Sequence, residues 1–177
     1  GWSLGGQIAM KYYLKYPKTV NYLVCISSTP CFIRKPGWEN GVSINFFSKF
    51  KKNLSNNWQK TLKNFFLLQI KENAGKRNIL RKLENDFINQ RPPTKEALEK
   101  SLEILEENDM RTEVKNINIP TLIISSKKDA ISNYKASIWM QSQIKDSKIF
   151  IHDSAGHIPF VSYQRKCFEL IEDFLGS

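Results

Sequence analysis

Ser3 stands in Gly1-Trp2-Ser3-Leu4-Gly5-Gly6, a G-x-S-x-G pattern. Small residues around a serine let a strand turn sharply into a helix and hold the hydroxyl exposed in a strained backbone conformation. The helix that follows points its first N–H groups at the reacting oxygen, and the Leu4 N–H is the first candidate donor to an oxyanion. A serine is a weak nucleophile without a base, and the chain holds two histidines. His157 lies in the small-residue stretch Ser154-Ala155-Gly156-His157-Ile158-Pro159-Phe160, where a loop can bring it to Ser3. His152 closes an apolar run beside Asp153 and reads as a half-exposed residue without a chemical role. The base in turn needs a carboxylate to fix its tautomer. Asp129 in Ser126-Lys127-Lys128-Asp129 suits this role; Asp109 is its main rival, and Asp146 and Asp153 also compete.

These residues need elements to carry them. Ile8, Tyr12 and Tyr16, with Ala9 and Tyr13, make an apolar stripe at helical spacing that Pro17 ends. Val20 to Ile26 is a near-continuous apolar run, the pattern of a buried parallel strand, and Ser27-Ser28-Thr29-Pro30 breaks it. Over 36–110 the pattern turns helical and strand signals vanish. Trp58, Leu62, Phe65, Phe66 and Gln69 share one face, Leu80, Leu83 and Phe87 another, and Leu98, Leu102 and Leu105 follow a Pro92-Pro93-Thr94 helix start. About four helices are expected there. From 117 onward strand and helix alternate: strands over Thr121–Ser125 and 148–151, a helix over 137–144 around Trp139 and Met140, and a closing stripe of Cys167, Phe168, Ile171, Phe174 and Leu175. This order predicts an α/β fold, a parallel sheet covered by helices, interrupted by a helical insertion. Ser3, Asp129 and His157 then each lie just beyond a strand's C-terminal end, in the chain order of α/β-hydrolases. The domain reading is a core of 1–35 and 111–177 with a helical lid of 36–110.

Composition narrows the function classes. The chain has 177 residues, 41% hydrophobic and 25% charged, enough for a packed core. No apolar run reaches 18 residues, so no membrane-spanning helix is expected. The net charge of +10 points to an anionic partner or a solvated lysine-rich surface. It carries no nucleic-acid-binding motif, so no nucleic-acid partner is expected. Cys25, Cys31 and Cys167 offer neither a disulfide framework nor metal spacing; Cys25 and Cys167 read as buried thiols of a protein from a reducing, cytoplasmic compartment. The chain opens at Gly1 and reads as the C-terminal part of a longer protein.

GWSLGG, Ser27-Ser28-Thr29-Pro30-Cys31-Phe32, Phe65-Phe66-Leu67-Leu68-Gln69, Asp109-Met110-Arg111 and the AGHIPF loop around His157 together resemble the pimeloyl-[acyl-carrier protein] methyl ester carboxylesterase family of biotin synthesis, over essentially all of the chain. The resemblance implies an α/β-hydrolase fold with a four-helix lid and hydrolysis of the methyl ester of pimeloyl-acyl-carrier protein by a serine esterase, with Ser3, Asp129 and His157 as its triad. It implies Leu4 as a backbone oxyanion donor and 65–69 (Phe65, Phe66, Leu67, Leu68, Gln69) as the lid segment along the acyl chain. It implies that Lys60, Arg77 and Arg81 hold the acidic acyl-carrier protein, with Asn64 where the family carries a further basic residue. No metal, no cofactor and a monomer are expected. The family's early strands, second oxyanion N–H and one aromatic contact precede the elbow, so these 177 residues alone are expected to be inactive. The acid's loop opens with Ser126 where the family usually has glycine. Two other readings are a general small-ester carboxylesterase and a non-catalytic hydrolase fold that only binds a ligand or partner.

Overall fold

The computed structural model describes residues 1–70, 81, 85 and 92–176, the side chains of 66–70 excepted. The elements in chain order are α1 (Leu4–Lys15), β1 (Leu23–Ile26), α2 (Ile44–Asn56), α3 (Trp58–Ile70), α4 (Lys95–Glu107), β2 (Thr121–Ser126), α5 (Tyr134–Gln143), β3 (Ser147–His152), the single turn α6 (Pro159–Ser162) and α7 (Gln164–Leu175), with short 3₁₀ turns at Pro17–Thr19 and Val114–Asn116.

The strands form one parallel sheet in the order β1-β2-β3, with Cys25 opposite Ile123 and Ile123 opposite Ile149. β2 is central and buried along its whole length, which is why its sequence is apolar without alternation. Ile123 packs with Cys25, Met10, Tyr13 and Met140 on the face covered by α1 and α5. Leu122 and Ile124 pack with Cys167, and Leu170, Ile171 and Phe174 of α7 close over them on the other face. Period two on the strands and 3.6 on the helices thus give three layers. Between β1 and β2 lie α2, α3 and α4, which share a separate core of Ile33, Phe47, Leu54 and Leu102, flanked by Trp58, Leu62, Leu98 and Leu105. Ser43 accepts from the Phe46 N–H at 3.3 Å to cap α2, and Thr94 from the Ala97 N–H at 3.1 Å to cap α4. Pro92-Pro93-Thr94 is therefore a helix start, as its sequence predicts.

Three expectations shift. The strand expected from Val20 begins at Leu23. The stripe Ile8, Tyr12, Tyr16 faces outward, each residue about half exposed, while Gly6, Met10 and Tyr13 face the sheet. The turn at Ser3 sets the rotation of α1, and it brings Gly6 against β1 instead of the larger apolar stripe. On α7, Phe168 and Leu175 are exposed and Leu170 takes their place in the buried face. The expected face of Leu80, Leu83 and Phe87 lies outside the described residues. All three cysteines are buried and free, and burial raises the Cys25 thiol to about 11, so it stays uncharged near neutrality. Among the described residues no helix is long and apolar enough to cross a membrane.

Ile123 is 1% exposed on the central strand. Ile123→Ala should lower stability by about 2–5 kcal/mol through lost burial and a residual cavity. Urea denaturation measures it, and a loss below about 1 kcal/mol would contradict the two-faced packing of β2.

Candidate active site

Each sequence-predicted reactive residue sits beyond the C-terminal edge of the sheet. Trp2 pairs in parallel with Ile26, the Ser3 N–H donates to the Ile26 carbonyl at 2.9 Å, and the chain then turns at once into α1. Ser3 takes φ 52° and ψ −121°, a left-handed conformation that costs a non-glycine residue about 1–3 kcal/mol. A Cβ on Gly1 would overlap the Gly5 carbonyl, and one on Gly6 would come within 2.5 Å of the Ser28 side chain. Gly5 meets nothing within 4 Å. The steric demand therefore falls on Gly1 and Gly6, and only Gly1 of this pair belongs to G-x-S-x-G. Leu4 is the first residue of α1, so its N–H has no helical acceptor four residues back.

His157 and Asp129 are brought together in the interior. His157 Nδ1 lies 2.8 Å from Asp129 Oδ2, and their side chains are 1% and 0% exposed. A carboxylate can only accept, so Nδ1 carries the proton and Nε2 is left with its lone pair. Asp129 Oδ1 accepts the N–H groups of Ile131 and Ser132, both at 2.8 Å, which fixes the carboxylate from its other side. His157 Nε2 is buried with no hydrogen-bond partner. Ser3 and His157 line one cavity of about 770 Å³. Its apolar wall includes Phe32, Phe47, Phe50, Leu62 and Ile131, and Lys49, Lys60 and Lys128 line it as well. Phe65 of α3 reaches the same place: its ring centroid is 6.5 Å from that of His157, edge to face.

The rival residues are engaged elsewhere. Arg111 donates to both Asp109 oxygens at 2.8 Å from Nε and Nη2, and Lys35 lies 3.7 Å away. The Arg111 hydrogen bonds hold the Asp109 carboxyl down from 3.8 to about 2. Asp153 is exposed and paired with Lys127 at 2.7 Å. The Asp146 carbonyl accepts the Thr121 N–H at 2.9 Å, at the N-terminal end of β2 and so away from the reactive edge. His152 Nδ1 accepts the N–H groups of Ser154 and Ala155, and its ring lies 3.7 Å from that of Tyr163; burial lowers its pKa. It shapes the turn that leads to His157. Lys60 is exposed on α3 and Arg81 is exposed. Arg77 lies outside the described residues, as do the side chains of Phe66, Leu67, Leu68 and Gln69. The sequence gave no reason to single out Lys128 or Lys49; adjacency to Asp129 was the only available signal for Lys128.

A parallel sheet with a strained serine and a buried histidine–aspartate pair at its C-terminal edge defines the α/β-hydrolase class. The solved structures agree on the fold. An esterase from Exiguobacterium antarcticum superposes with a TM-score of 0.90 at 23% identity, covering all of this chain and 65% of that one. A bromoperoxidase from Bacillus anthracis gives 0.90 at 17% identity, covering 100% and 66%. Residues 1–161 match the hydrolase family described as Serine aminopeptidase, S33. The pimeloyl-[acyl-carrier protein] methyl ester esterase of Nitrosomonas europaea is 33% identical over 97% of this chain and 69% of its own length. The protein of that name from Nitrosospira multiformis is 33% identical over 94% and 63%, and that of Legionella pneumophila (strain Corby) 34% over 99% and 69%. The chain thus spans about two thirds of the length of the proteins it matches. It belongs to the pimeloyl-[acyl-carrier protein] methyl ester esterases, carboxylic ester hydrolases of the α/β-hydrolase superfamily.

The depressed Asp109 carboxyl gives a stability effect with a definite sign. A lowered folded pKa stabilises the protein above the ordinary carboxylate value and is lost as pH falls towards the folded one. Asp109→Asn should cost about 1–2 kcal/mol near pH 7, with the gap to wild type closing between about pH 4 and pH 2. Denaturation midpoints followed against pH test this; a gap that persists unchanged at pH 2 would assign the loss to packing.

Proposed function

We propose that the protein is a serine carboxylesterase that removes the methyl ester of pimeloyl-acyl-carrier protein in biotin synthesis. The observation that carries this reading is the buried His157, held at Nδ1 by Asp129, lining the same cavity as the strained Ser3. His157 Nε2 takes the Ser3 proton as Oγ attacks the ester carbonyl. The Leu4 N–H, at the positive end of α1, stabilises the oxyanion. The imidazolium, steadied by Asp129, then protonates the departing methoxide, and methanol leaves. Water activated by the same nitrogen hydrolyses the acyl-enzyme and restores Ser3. These steps need only the protein's own side chains and water.

The helices of 36–110 act as a lid over this site. Phe65, with Phe66, Leu67, Leu68 and Gln69 after it, lines the acyl chain, and the phenylalanine-rich wall of the cavity suits a methylene chain. Lys60, Arg77 and Arg81 recruit the acidic carrier protein. Arg77 and Arg81 stand four residues apart, a spacing at which like charges on a helix repel, and an anionic partner relieves that.

In the full-length protein Ser3→Ala should abolish ester hydrolysis, by a factor near 10⁶ as is usual for a triad serine. Carrier-protein binding should survive. A mutant that keeps more than about a tenth of wild-type turnover would remove Ser3 as the nucleophile. Kinetics on two substrates separate the carrier-protein esterase from a general small-ester esterase. Arg77→Glu with Arg81→Glu should raise KM for the carrier-bound ester several-fold relative to KM for a small soluble ester, and salt should shrink the difference. Equal effects on both substrates would make the two arginines structural.

A further inference from the structure

The residue just before Ser3 reaches across the edge of the sheet to the loop that carries His157. The Trp2 indole N–H donates to the His157 carbonyl at 2.8 Å, and the two rings lie 5.3 Å apart. The Trp2 ring also meets Phe160 edge to face at 5.5 Å and packs against Ile158 and Val161, the residues that follow His157. Trp2 itself cannot drift, because its backbone is paired with Ile26 and its carbonyl accepts the Gly5 N–H at 2.7 Å.

Asp129 fixes the rotation and tautomer of the His157 ring, but it does so from the far side, through Nδ1. It does not set where the His157 backbone stands relative to Ser3. The hydrogen bond from Trp2 does, and Trp2 is covalently next to Ser3. We propose that Trp2 is a positioning residue. It ties the main chain of the base to the main chain of the nucleophile, so that the distance between Ser3 Oγ and His157 Nε2 is set by one rigid span and not by a free loop. This inference rests on the reading of His157 as the base. A base displaced by about 1 Å can lose on the order of 10²-fold in rate.

The test is a double-mutant cycle in the full-length protein, with p-nitrophenyl acetate as substrate. Trp2→Phe keeps a ring against Phe160 and removes the N–H donor. It should lower kcat about 10–100-fold with KM changed less than about twofold, since a positioning group acts on the transition state. In a His157→Ala background the same substitution should change the residual rate less than about twofold, because the group it positions is gone. Additive losses, or no loss from Trp2→Phe alone, would overturn the proposal and leave Trp2 as packing. If His157→Ala itself leaves kcat intact, the reading of His157 as base fails first, which is a distinguishable result. Should Trp2→Phe not fold, 3-benzothienylalanine at position 2 keeps the shape of the indole, replaces N–H with sulfur, and must give the same pattern.

Discussion

The backbone at Ser3 is the constraint on which the rest of the structure depends. A serine at φ 52° is stable only where its surroundings leave no alternative. Here the Ser3 N–H is held by Ile26, the Gly5 N–H by Trp2, and the Ser3 carbonyl accepts from the Ser28 hydroxyl at 2.8 Å. The glycines without Cβ at Gly1 and Gly6 let the strand, the helix and the β1 loop meet at that point. Once the turn is fixed, the rotation of α1 is fixed with it. Met10 and Tyr13 are driven onto the sheet, and Ile8, Tyr12 and Tyr16 outward.

That dependence explains what the sequence could and could not reveal. The strands were legible because buried parallel strands are apolar without interruption, and β2 conforms along its whole length. The inward face of α1 was not, because apolarity ranks Ile8 and Tyr12 above Gly6, whereas close approach to Ser28 selects the residue with no side chain. The base was legible by elimination, since two histidines leave few choices. The acid was harder. Asp109 and Asp129 look alike in isolation, and they are separated by the residue two places on: Arg111 engages both oxygens of Asp109, while Asp129 is followed by Ala130 and Ile131, whose chain turns its N–H groups back onto the carboxylate. A guanidinium at i+2 was a usable signal.

The run Ser27-Ser28-Thr29-Pro30-Cys31 has a physical meaning that its composition hides. Ser28 holds the Ser3 carbonyl. The Thr29 carbonyl accepts from Gln7, a residue 1% exposed in the first turns of α1, and Gln7 Oε1 accepts from Asn108 at 3.0 Å. The Met110 N–H donates to the Pro30 carbonyl and the Trp38 indole to the Cys31 carbonyl. This buried network stitches the exit of the helical segment to the elbow. Polar groups buried in this way are expensive unless all are satisfied, and when satisfied they specify one arrangement. The helices that overhang the cavity are thereby registered to the nucleophile through hydrogen bonds, while their own apolar core of Phe47, Leu54 and Leu102 sets only their packing on each other.

Against that background of satisfied groups, His157 Nε2 stands out as a buried acceptor with no partner. Leaving such a group unpaired costs on the order of 1–3 kcal/mol. Nothing in the local sequence demands it: a rotation of the ring would be resisted by the Asp129 bond at Nδ1, by Trp2 on one flank and by Phe65 on another. Three contacts together hold the imidazole where its free nitrogen is least satisfied. Bringing a hydroxyl proton to that nitrogen recovers the cost, so the strain in the resting site favours the proton transfer that a serine esterase requires. The same logic links the two strained features. The elbow holds Ser3 in a conformation it would not choose, the clamp holds His157 in a position it would not choose, and Trp2 belongs to both.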